Sequence, residues 1–207
     1  MDEIVRQALA RWPDVPHCTG WLRLDARGHW RLRDEADQAA GTAGTPIRHE
    51  ALTGFINRNY DHDEHGQWYF QNGPQRVYVE LEYTPLIVRL ARDATGTLTL
   101  TDQTGLPLVP SAVYVDDAGS VLFAGAAAGS SDAVRVALLH DHDLDLFTDH
   151  ASLDEDGLGG TFAWRAEAAL PLEPVCREQV PARFGFVASP AREEANANSR
   201  GKAASTD

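Results

Sequence analysis

Two short segments of the 207-residue chain concentrate Asp and His, the side chains that bind metals or transfer protons. In the first, "YDHDEHGQWYF", Asp61, Asp63 and His65 alternate and Gly66 follows. A calcium-binding loop places oxygen ligands at its first, third and fifth positions and glycine at its sixth. The match ends there, because His65 offers nitrogen and the twelfth position is Asn72 rather than glutamate. Two interpretations stay open: a calcium or other metal site, and a turn between a helix and a strand.

The second segment, "LLHDHDLDLFTDH", carries His140, His142 and His150. On a strand, His140 and His142 project from the same face, and two imidazoles at that spacing can chelate zinc or another divalent ion, with His150 or an acidic residue as a third ligand. Alternatively, the same residues could form a charged edge strand that prevents pairing with another sheet. A divalent metal is the one cofactor that the sequence suggests, and none is otherwise expected.

A third set of residues could bind a small ligand. Trp and Arg side chains lie in two predicted hairpins on either side of a helix, where a groove could form between them. The candidates are Trp30, Arg48, His49, Trp68 and Arg76. Alternatively, the aromatic residues pack against Phe55 as one core, formed by Trp21, Trp30, Trp68, Tyr69 and Phe70.

Two further catalytic patterns are incomplete. Gly129, Ser130 and Ser131 follow an apolar run with the spacing of a phosphate loop, but no Lys accompanies them to meet a phosphate. The sequence has no G-x-S-x-G nucleophile elbow. No convincing catalytic constellation therefore emerges from the sequence.

Composition narrows the function further. The net charge of -13 repels phosphate backbones, and the chain lacks a basic block that could bind nucleic acid locally. Cys18 and Cys176 show no disulfide or metal spacing, which favours a reducing compartment. The first residues do not resemble a signal peptide, and no apolar stretch approaches the roughly 20 residues that span a bilayer. We expect a cytoplasmic protein without nucleic-acid or membrane partners, and the sequence does not predict its oligomeric state.

Hydrophobic periodicity predicts an α+β fold with two lobes. Apolar residues recur at helical spacing over Asp2–Trp12 and over residues 46–60, where Thr45 is a suitable N-cap and Pro46 suits the first turn. Alternating residues predict hairpins over residues 21–32 and 67–82. The second half consists of short apolar runs separated by Gly, Asp and Pro, which is typical of largely antiparallel sheets.

Four segments follow from this pattern. They are an N-terminal helix over residues 1–14, a helix-plus-hairpin lobe over 18–95, a strand-rich lobe over 96–188 and a disordered tail over 190–207. Each lobe contains a Gly-x-Pro step followed by an acidic Gly turn and an apolar strand, which suggests an internal structural repeat.

The segments "DARGHWRLRDE", "GTPIRHEALTGFINRNYDHDEHGQWYFQNGPQRVYVELEYTPLIVRL" and "VYVDDAGSVLFAG" together resemble an uncharacterised proteobacterial family that carries only a domain-of-unknown-function label. Their pattern is similar to that of small two-lobed, repeat-containing proteins with a suggested signalling role. The likeness implies an α+β fold and supplies no catalytic residues. It rests on Gly28, Trp30, Pro46, Ile47, His49, Leu52, Gly66, Glu80, Thr84 and Pro85.

The sequence therefore favours a non-enzymatic module that binds a small ligand or a protein partner, with a role in signalling or regulation. The alternative is a divalent-metal-dependent hydrolase that uses the two Asp/His segments.

Overall fold

The chain folds into two compact units. The computed structural model describes residues 1–127, 134–155, 159–165 and 168–204. Unit 1 contains Met1–Asp25, His29–Glu82 and the chain from Phe186 onward, whereas unit 2 contains Ala26–Gly28 and Tyr83–Gly185. The α+β class and the two lobes are thus confirmed. The chain passes into unit 2 after Glu82, earlier than the boundary after residue 95 that the sequence suggested.

Unit 1 is built on a six-stranded sheet with the order β3-β2-β1-β6-β5-β4. The predicted hairpins are present as the antiparallel pairs β1–β2 and β5–β6, but β1 and β6 run parallel. Its elements before Tyr83 are α1 (Glu3–Arg11), β1 (Cys18–Leu24), β2 (Trp30–Leu32), α2 (Glu35–Ala40), β3 (Thr45–Pro46), α3 (Glu50–Arg58), β4 (Tyr60–His62), β5 (Trp68–Asn72) and β6 (Gln75–Leu81).

Helix α3 is the helix predicted over residues 46–60, but it begins later. Thr45 and Pro46 form β3, which pairs with β2 at the edge of the sheet, a position that tolerates proline because no partner needs its missing N–H. His49 is the N-cap, and its Nδ1 accepts a hydrogen bond from the backbone N–H of Leu52 at 3.2 Å. The cap signal therefore comes from His49 and not from Thr45.

A second short helix, α2, follows the first hairpin. Asp34 is its N-cap and accepts a hydrogen bond from the backbone N–H of Asp37, while the Asp37 carboxylate accepts one from the N–H of Asp34. This reciprocal capping satisfies two backbone donors that a helix otherwise leaves open. Gly41 ends the helix in the left-handed conformation, with φ of 68°.

The aromatic residues of unit 1 form a core, as the sequence suggested, with one exception. Trp30 and Trp68 are buried, and both rings contact Tyr60, at centroid distances of 5.0 and 4.8 Å. Phe55 of α3 meets Phe70 of β5 edge to face at 5.4 Å. Trp21 is 41% exposed, because it points away from this core on β1.

Unit 2 is built on an eight-stranded sheet with the order β12-β13-β14-β9-β10-β11-β7-β8. Two pairs, β11–β7 and β14–β9, are parallel. A bridge between Thr101 and Pro107 also links β8 to the segment before β9, so the sheet curls into a half-barrel. The elements are β7 (Leu86–Arg92), β8 (Leu98–Asp102), β9 (Leu108–Asp116), β10 (Val121–Ala127), β11 (Arg135–Leu139), α4 (Leu144–Thr148), β12 (Ala151–Leu153), β13 (Gly160–Arg165), β14 (Ala168–Val175) and α5 (Val180–Phe184), with 3-10 helices at Asp141–Asp143 and Arg177–Gln179.

The segment that carries His140 and His142 is not a strand. It leaves β11 as the 3-10 helix Asp141–Asp143 and continues as α4. The Asp143 carboxylate accepts two hydrogen bonds from Arg89, at 2.6 and 2.9 Å, and one from the backbone N–H of Leu90 at 3.0 Å. These contacts hold the segment against β7, and this long-range pairing explains why local alternation of residues gave the wrong secondary structure.

Five hairpin turns share one Asp-x-x-Gly design. In each, the backbone N–H of the Asp donates to the carbonyl of the fourth residue along, and the Asp Oδ1 accepts from the N–H of that same residue. The glycine adopts φ between 74° and 86°, a region that favours glycine. The turns are "DARGH" from Asp25, "DEHGQ" from Asp63, "DATGT" from Asp93, "DQTGL" from Asp102 and "DDAGS" from Asp116.

This turn accounts for the similarity that suggested an internal repeat. The two segments compared contain the turns at Asp63 and Asp116, and the same turn recurs elsewhere in both units. The similarity is therefore local to the turn, and a repeat of larger elements stays a prediction.

In two of these turns, ionisation of the Asp should change the stability of the fold in opposite directions. Burial raises the pKa of Asp102, so its negative charge destabilises the folded state once pH rises above the ordinary range of Asp. Asp102→Asn keeps an acceptor for the turn and removes that charge. We expect the variant to be more stable than the parent at neutral pH, with the advantage shrinking as pH falls towards 3.8 in urea titrations.

Asp116→Asn is the matched comparison. Burial opposes ionisation of Asp116, but hydrogen bonds from neighbouring donors, the backbone N–H of Ser120 first among them, hold its pKa below the usual range. Its charge therefore stabilises the fold above pH 3.8 and loses that effect on acidification. Asp116→Asn should be less stable than the parent at neutral pH. If Asp102→Asn and Asp116→Asn changed the free energy of unfolding in the same direction at neutral pH, the opposite pKa shifts of the two residues would be contradicted.

The segment expected as a disordered tail forms helix α6 (Pro190–Ala204), and residues 205–207 lie outside the described chain. The buried Glu80 of β6 caps this helix: it accepts hydrogen bonds from Ser189 Oγ at 2.5 Å and from the backbone N–H of Ala191 at 3.0 Å. A carboxylate at a helix N-terminus is stabilised by the helix dipole. The partner of the helix lies far away in sequence, which is why composition alone indicated disorder.

In the part of the chain that the structure describes, no helix combines the length and the apolar character needed to cross a bilayer.

Candidate functional site

The first Asp/His segment is mainly a turn. Asp63 Oδ1 accepts hydrogen bonds from the backbone N–H groups of His65 and Gln67, and Asp63 Oδ2 accepts one from the Tyr78 hydroxyl at 3.1 Å. Asp61 lies on β4 and accepts from the neighbouring backbone N–H, while the His65 side chain is 74% exposed. The carboxylate central to the proposed calcium loop is therefore engaged by the protein itself.

The second segment keeps His140 and His142 together and places His150 apart from them. His140 is buried and its ring lies 4.7 Å from that of His142, but its Nδ1 accepts the backbone N–H of His142 at 3.1 Å and lies 3.0 Å from Asp141 Oδ1. Burial, and then the nearby Arg89, lower the pKa of His140. His150 lies beyond α4 and lines a cavity described below. Across residues 1–127, 134–155, 159–165 and 168–204, no three His, Cys, Asp or Glu side chains are grouped so that they could hold a metal ion.

The residues proposed for a Trp/Arg groove occupy different environments. Trp30 and Trp68 belong to the core of unit 1, and Trp30 Nε1 donates to Asn57 Oδ1 at 2.7 Å. Arg48 and His49 are exposed, and His49 is committed to capping α3. The Arg76 guanidinium lies 4.6 Å from the centroid of the Tyr69 ring.

Two small cavities of unit 1 share His17 and Tyr78, whose rings meet edge to face at 5.3 Å. Each cavity has a volume of about 290 Å³, and Arg76 lines one of them. The structure thus brings two sequence candidates together, since Asp63 and Arg76 both flank Tyr78. Burial, as the largest cause, raises the pKa of Tyr78.

A larger cavity of about 740 Å³ lies within unit 2. We call it the Arg92–Arg165 cavity. One wall is the β7–β8 hairpin from Arg92 to Leu98, and the other runs from Asp149 to Ser152 and along β13 from Thr161 to Arg165. Small-molecule sites in proteins commonly have volumes of about 300–1,000 Å³, so this cavity has the size of a ligand site.

Arg165 is held in place at the cavity by neutral groups. Its Nη1 donates to the carbonyl oxygens of Leu98 and Trp164, at 2.9 and 2.8 Å, and its guanidinium carbon lies 3.9 Å from the centroid of the buried Trp164 ring. Carbonyl oxygens and a ring face orient the guanidinium without neutralising its charge. Arg165 is itself exposed, and hydrogen bonds, that from Thr95 first, together with the charge of Arg165 lower the pKa of the nearby Asp93. The two carbonyl contacts of Arg165 use a single nitrogen, so its other N–H groups stay available to a ligand.

Arg92 stands at the end of β7 and is exposed. Its Nη1 has a long 3.5 Å contact with the carbonyl oxygen of Gly96. Within the described residues, neither Arg92 nor Arg165 forms an ion pair. Other arginines in the described part of the chain also lack an ion pair with a described carboxylate, among them Arg11, Arg33, Arg48, Arg76 and Arg192. What distinguishes Arg92 and Arg165 is therefore that they line the same cavity.

His150 adds an unusual polar atom. Its Nδ1 is buried and has no hydrogen-bond partner among the described residues. Buried polar atoms are nearly always paired, and the exceptions call for an explanation such as a ligand or ordered water. Sequence reasoning did find His150, but it placed the residue in a metal site with His140 and His142.

Sequence reasoning missed Arg92, Trp164 and Arg165. Their positions at strand ends could have marked them as candidates for a site at one end of a sheet, but nothing local shows that β7–β8 and β13 face each other. The Gly129–Ser131 stretch, with its phosphate-loop spacing, lies outside the described residues.

Comparison with known protein families assigns this chain to one of them. Residues 1–191 match the family model DUF2944, described as "Protein of unknown function (DUF2946)". The chain belongs to this family. The resemblance to a domain-of-unknown-function family is thereby confirmed, and the DUF2944 label itself carries no activity. Among curated proteins, no match was found.

Two solved structures are similar to the chain. One is a DUF1285 family protein from Silicibacter pomeroyi DSS-3, with 17% identity and a TM-score of 0.49 over 87% of this chain and 98% of that one. The other is a DUF1285 family protein from Shewanella baltica OS155, with 13% identity and a TM-score of 0.42 over 62% of this chain and 91% of that one. Both TM-scores are below 0.5, so neither similarity bears on the function of this chain.

Proposed function

We propose that the protein is a non-enzymatic binding module whose small ligand occupies the Arg92–Arg165 cavity. The observation that carries the proposal is a cavity of ligand size, within one unit, that presents two guanidinium groups free of ion pairs with described carboxylates. In a chain with a net charge of -13, two exposed arginines at one cavity give a local positive region that attracts an anion. An anionic ligand is therefore the natural occupant.

Binding, rather than catalysis, agrees with the chemistry of the lining. Arginine stays protonated at physiological pH and rarely transfers protons. His150 and Asp149 line the same cavity, but general acid–base catalysis also needs a reacting group positioned between such residues. A binding module of this kind suits the regulatory role that the sequence resemblance implied, with a protein partner as the responding element.

The test uses the purified full-length chain and a panel of small organic and inorganic anions in thermal unfolding. A ligand present at about 100 times its Kd stabilises a protein by about 2.7 kcal/mol, which corresponds to roughly 5–10 °C at this size. We expect at least one anion to raise the Tm of the parent protein, and Arg92→Gln and Arg165→Gln each to weaken that ligand about tenfold or more.

Arg192→Gln is the control, since Arg192 is exposed on α6 of unit 1. It removes the same charge and should leave the binding unchanged. If no anion shifts the Tm, or if all three variants respond alike, the cavity is not a ligand site. Arg165 also supports Leu98, so the Tm of each variant without ligand must be compared first.

The hydrolase alternative lacks a supporting observation in the described residues. Its candidate ligands divide between unit 1, with Asp61, Asp63 and His65, and unit 2, with the three histidines. The Asp63 carboxylate accepts hydrogen bonds from the backbone of its own turn, and His140 Nδ1 accepts the backbone N–H of His142. Stoichiometric metal in untagged purified protein, lost in His140→Ala and His142→Ala, would revive this alternative.

A further inference from the structure

The residues that line the cavity also indicate which class of anion it binds. This inference rests on the proposed function. We propose that the Arg92–Arg165 cavity binds a small polyhydroxylated organic anion, such as a sugar phosphate or a sugar acid. Two features of the lining combine to select this class: fixed guanidinium donors, and hydroxyl groups whose orientation makes them acceptors.

The donors come from the two arginines. One nitrogen of Arg165 donates hydrogen bonds to two carbonyl oxygens, and the other N–H groups of its guanidinium remain available. Arg92 makes a single long contact with the carbonyl oxygen of Gly96. Guanidinium groups bind carboxylate and phosphate through paired hydrogen bonds. This part of the lining therefore selects for negative charge, whether it comes from a carboxylate or a phosphate.

The acceptors are set by Asp93, whose turn forms the tip of the β7–β8 hairpin. Thr95 Oγ1 donates its proton to Asp93 Oδ1 at 2.6 Å and lies 2.9 Å from Thr97 Oγ1. A hydroxyl has one proton, so the hydrogen bond between the two threonines must be donated by Thr97. Both protons are then used, so the hydroxyl oxygens of these two lining residues can only accept further hydrogen bonds.

These acceptors call for donors on the ligand. The Asp149 carboxylate lines the same cavity and, when ionised, it can only accept. Inorganic phosphate would satisfy the arginines, but at neutral pH it keeps only one or two P–OH donors, fewer than the acceptors of the lining. A neutral sugar would satisfy the threonines and leave the arginines without an anion. A hydroxylated anion satisfies both sets.

The experiment is calorimetric titration of the full-length protein with four probes: glucose 6-phosphate, gluconate, inorganic phosphate and glucose. We expect at least one of the two hydroxylated anions to bind about tenfold or more tightly than both phosphate and glucose. A preference for glucose 6-phosphate over gluconate, or the reverse, identifies phosphate or carboxylate as the anionic group.

Thr95→Val and Thr104→Val form a matched pair. Thr104 Oγ1 donates to Asp102 in the same kind of turn, at 2.6 Å, and it does not belong to the cavity lining. Both variants lose the same hydrogen bond within the turn. Only Thr95→Val should weaken binding of the hydroxylated anion, by about fivefold to tenfold, because Thr95 lines the cavity and Thr104 does not.

The outcomes separate the two proposals. If inorganic phosphate binds as tightly as the hydroxylated anions and Thr95→Val has no effect, the ligand class is wrong although the cavity still binds anions. If glucose binds equally well, the anionic requirement is wrong. If none of the four probes binds, the proposed ligand class is rejected. The proposed function is rejected as well only if none of the anions in the wider panel raises the Tm.

Discussion

Replacing Asp116 by alanine is expected to lower the free energy of unfolding by about 2–4 kcal/mol, because a buried carboxylate with several hydrogen bonds is lost while its partner Arg177 stays partly hydrated. Asp116 has no exposed surface. Its Oδ1 accepts from the backbone N–H groups of Ala118 and Ser120, and its Oδ2 accepts from Arg177 Nη1 at 3.0 Å. The substitution would leave the two backbone donors without their acceptor, whereas Arg177, which is 38% exposed, can turn to water.

The loss extends beyond the turn because Arg177 connects two parts of unit 2. Its guanidinium carbon lies 3.7 Å from the centroid of the Tyr83 ring, and it also contacts Ser120 Oγ. Burial, with a smaller contribution from Asp116, raises the pKa of Tyr83. The carboxylate thus fixes a cation and an aromatic ring that come from distant segments of the chain.

Asp93→Ala is the matched control, measured by urea unfolding under the same conditions. Asp93 makes the same turn and accepts from the N–H groups of Thr95 and Thr97, but it is exposed and forms no ion pair with a described residue. Its replacement removes the turn contacts alone, and water can hydrate the released donors. Comparable losses for Asp93→Ala and Asp116→Ala would show that the turn, and not the buried pair with Arg177, determines the effect.

Much of the local structure could be predicted from the sequence, because each hairpin carries its own signal. In the Asp-x-x-Gly turns, the side-chain acceptor and the glycine lie within a single turn and specify it without help from the rest of the chain. The parallel pairs β1–β6, β11–β7 and β14–β9 join segments that are far apart in sequence. Alternating residues identify a strand but do not name its partner, so these pairs could not be predicted.

The residues that carried the family resemblance have structural roles in the fold. Gly66 completes a turn, Trp30 fills the core of unit 1 and His49 caps α3. Glu80 receives the start of α6, and Thr84 joins β7 to β11 through a donated and an accepted hydrogen bond. Such residues specify a fold, which explains why the family pattern indicated the architecture and gave no guidance to a reactive site.

The cavity itself depends on long-range geometry that single residues do not reveal. Arg92 and Arg165 are ordinary strand-end arginines in the sequence, and their distinctive feature is that both line one cavity without an ion pair to a described carboxylate. That feature exists only after every other acidic side chain has been placed. His150 was noticed because histidine is rare and chemically versatile, yet the neighbours that define its environment were beyond sequence reasoning.

Trp30→Ala is the second change with a large expected effect, a loss of about 3–5 kcal/mol in the free energy of unfolding. Trp30 is 1% exposed, contacts Tyr60 edge to face and donates from Nε1 to Asn57 Oδ1. Alanine would leave a large cavity in unit 1 and remove the donor for Asn57. Trp30→Phe should recover most of the packing but not the hydrogen bond, and so should fall between the parent and Trp30→Ala.

Trp21→Ala supplies the comparison, because Trp21 is also an indole of the first hairpin but is 41% exposed. Its loss should be less than about 1 kcal/mol, in the range of surface substitutions. The pair also tests the two interpretations of the Trp residues. If Trp30 belongs to the core, its replacement lowers stability and leaves the affinity of the folded protein for the anion unchanged. If Trp30→Ala instead retains stability and loses ligand, the site lies in unit 1, and the Arg92–Arg165 cavity is not where the ligand binds.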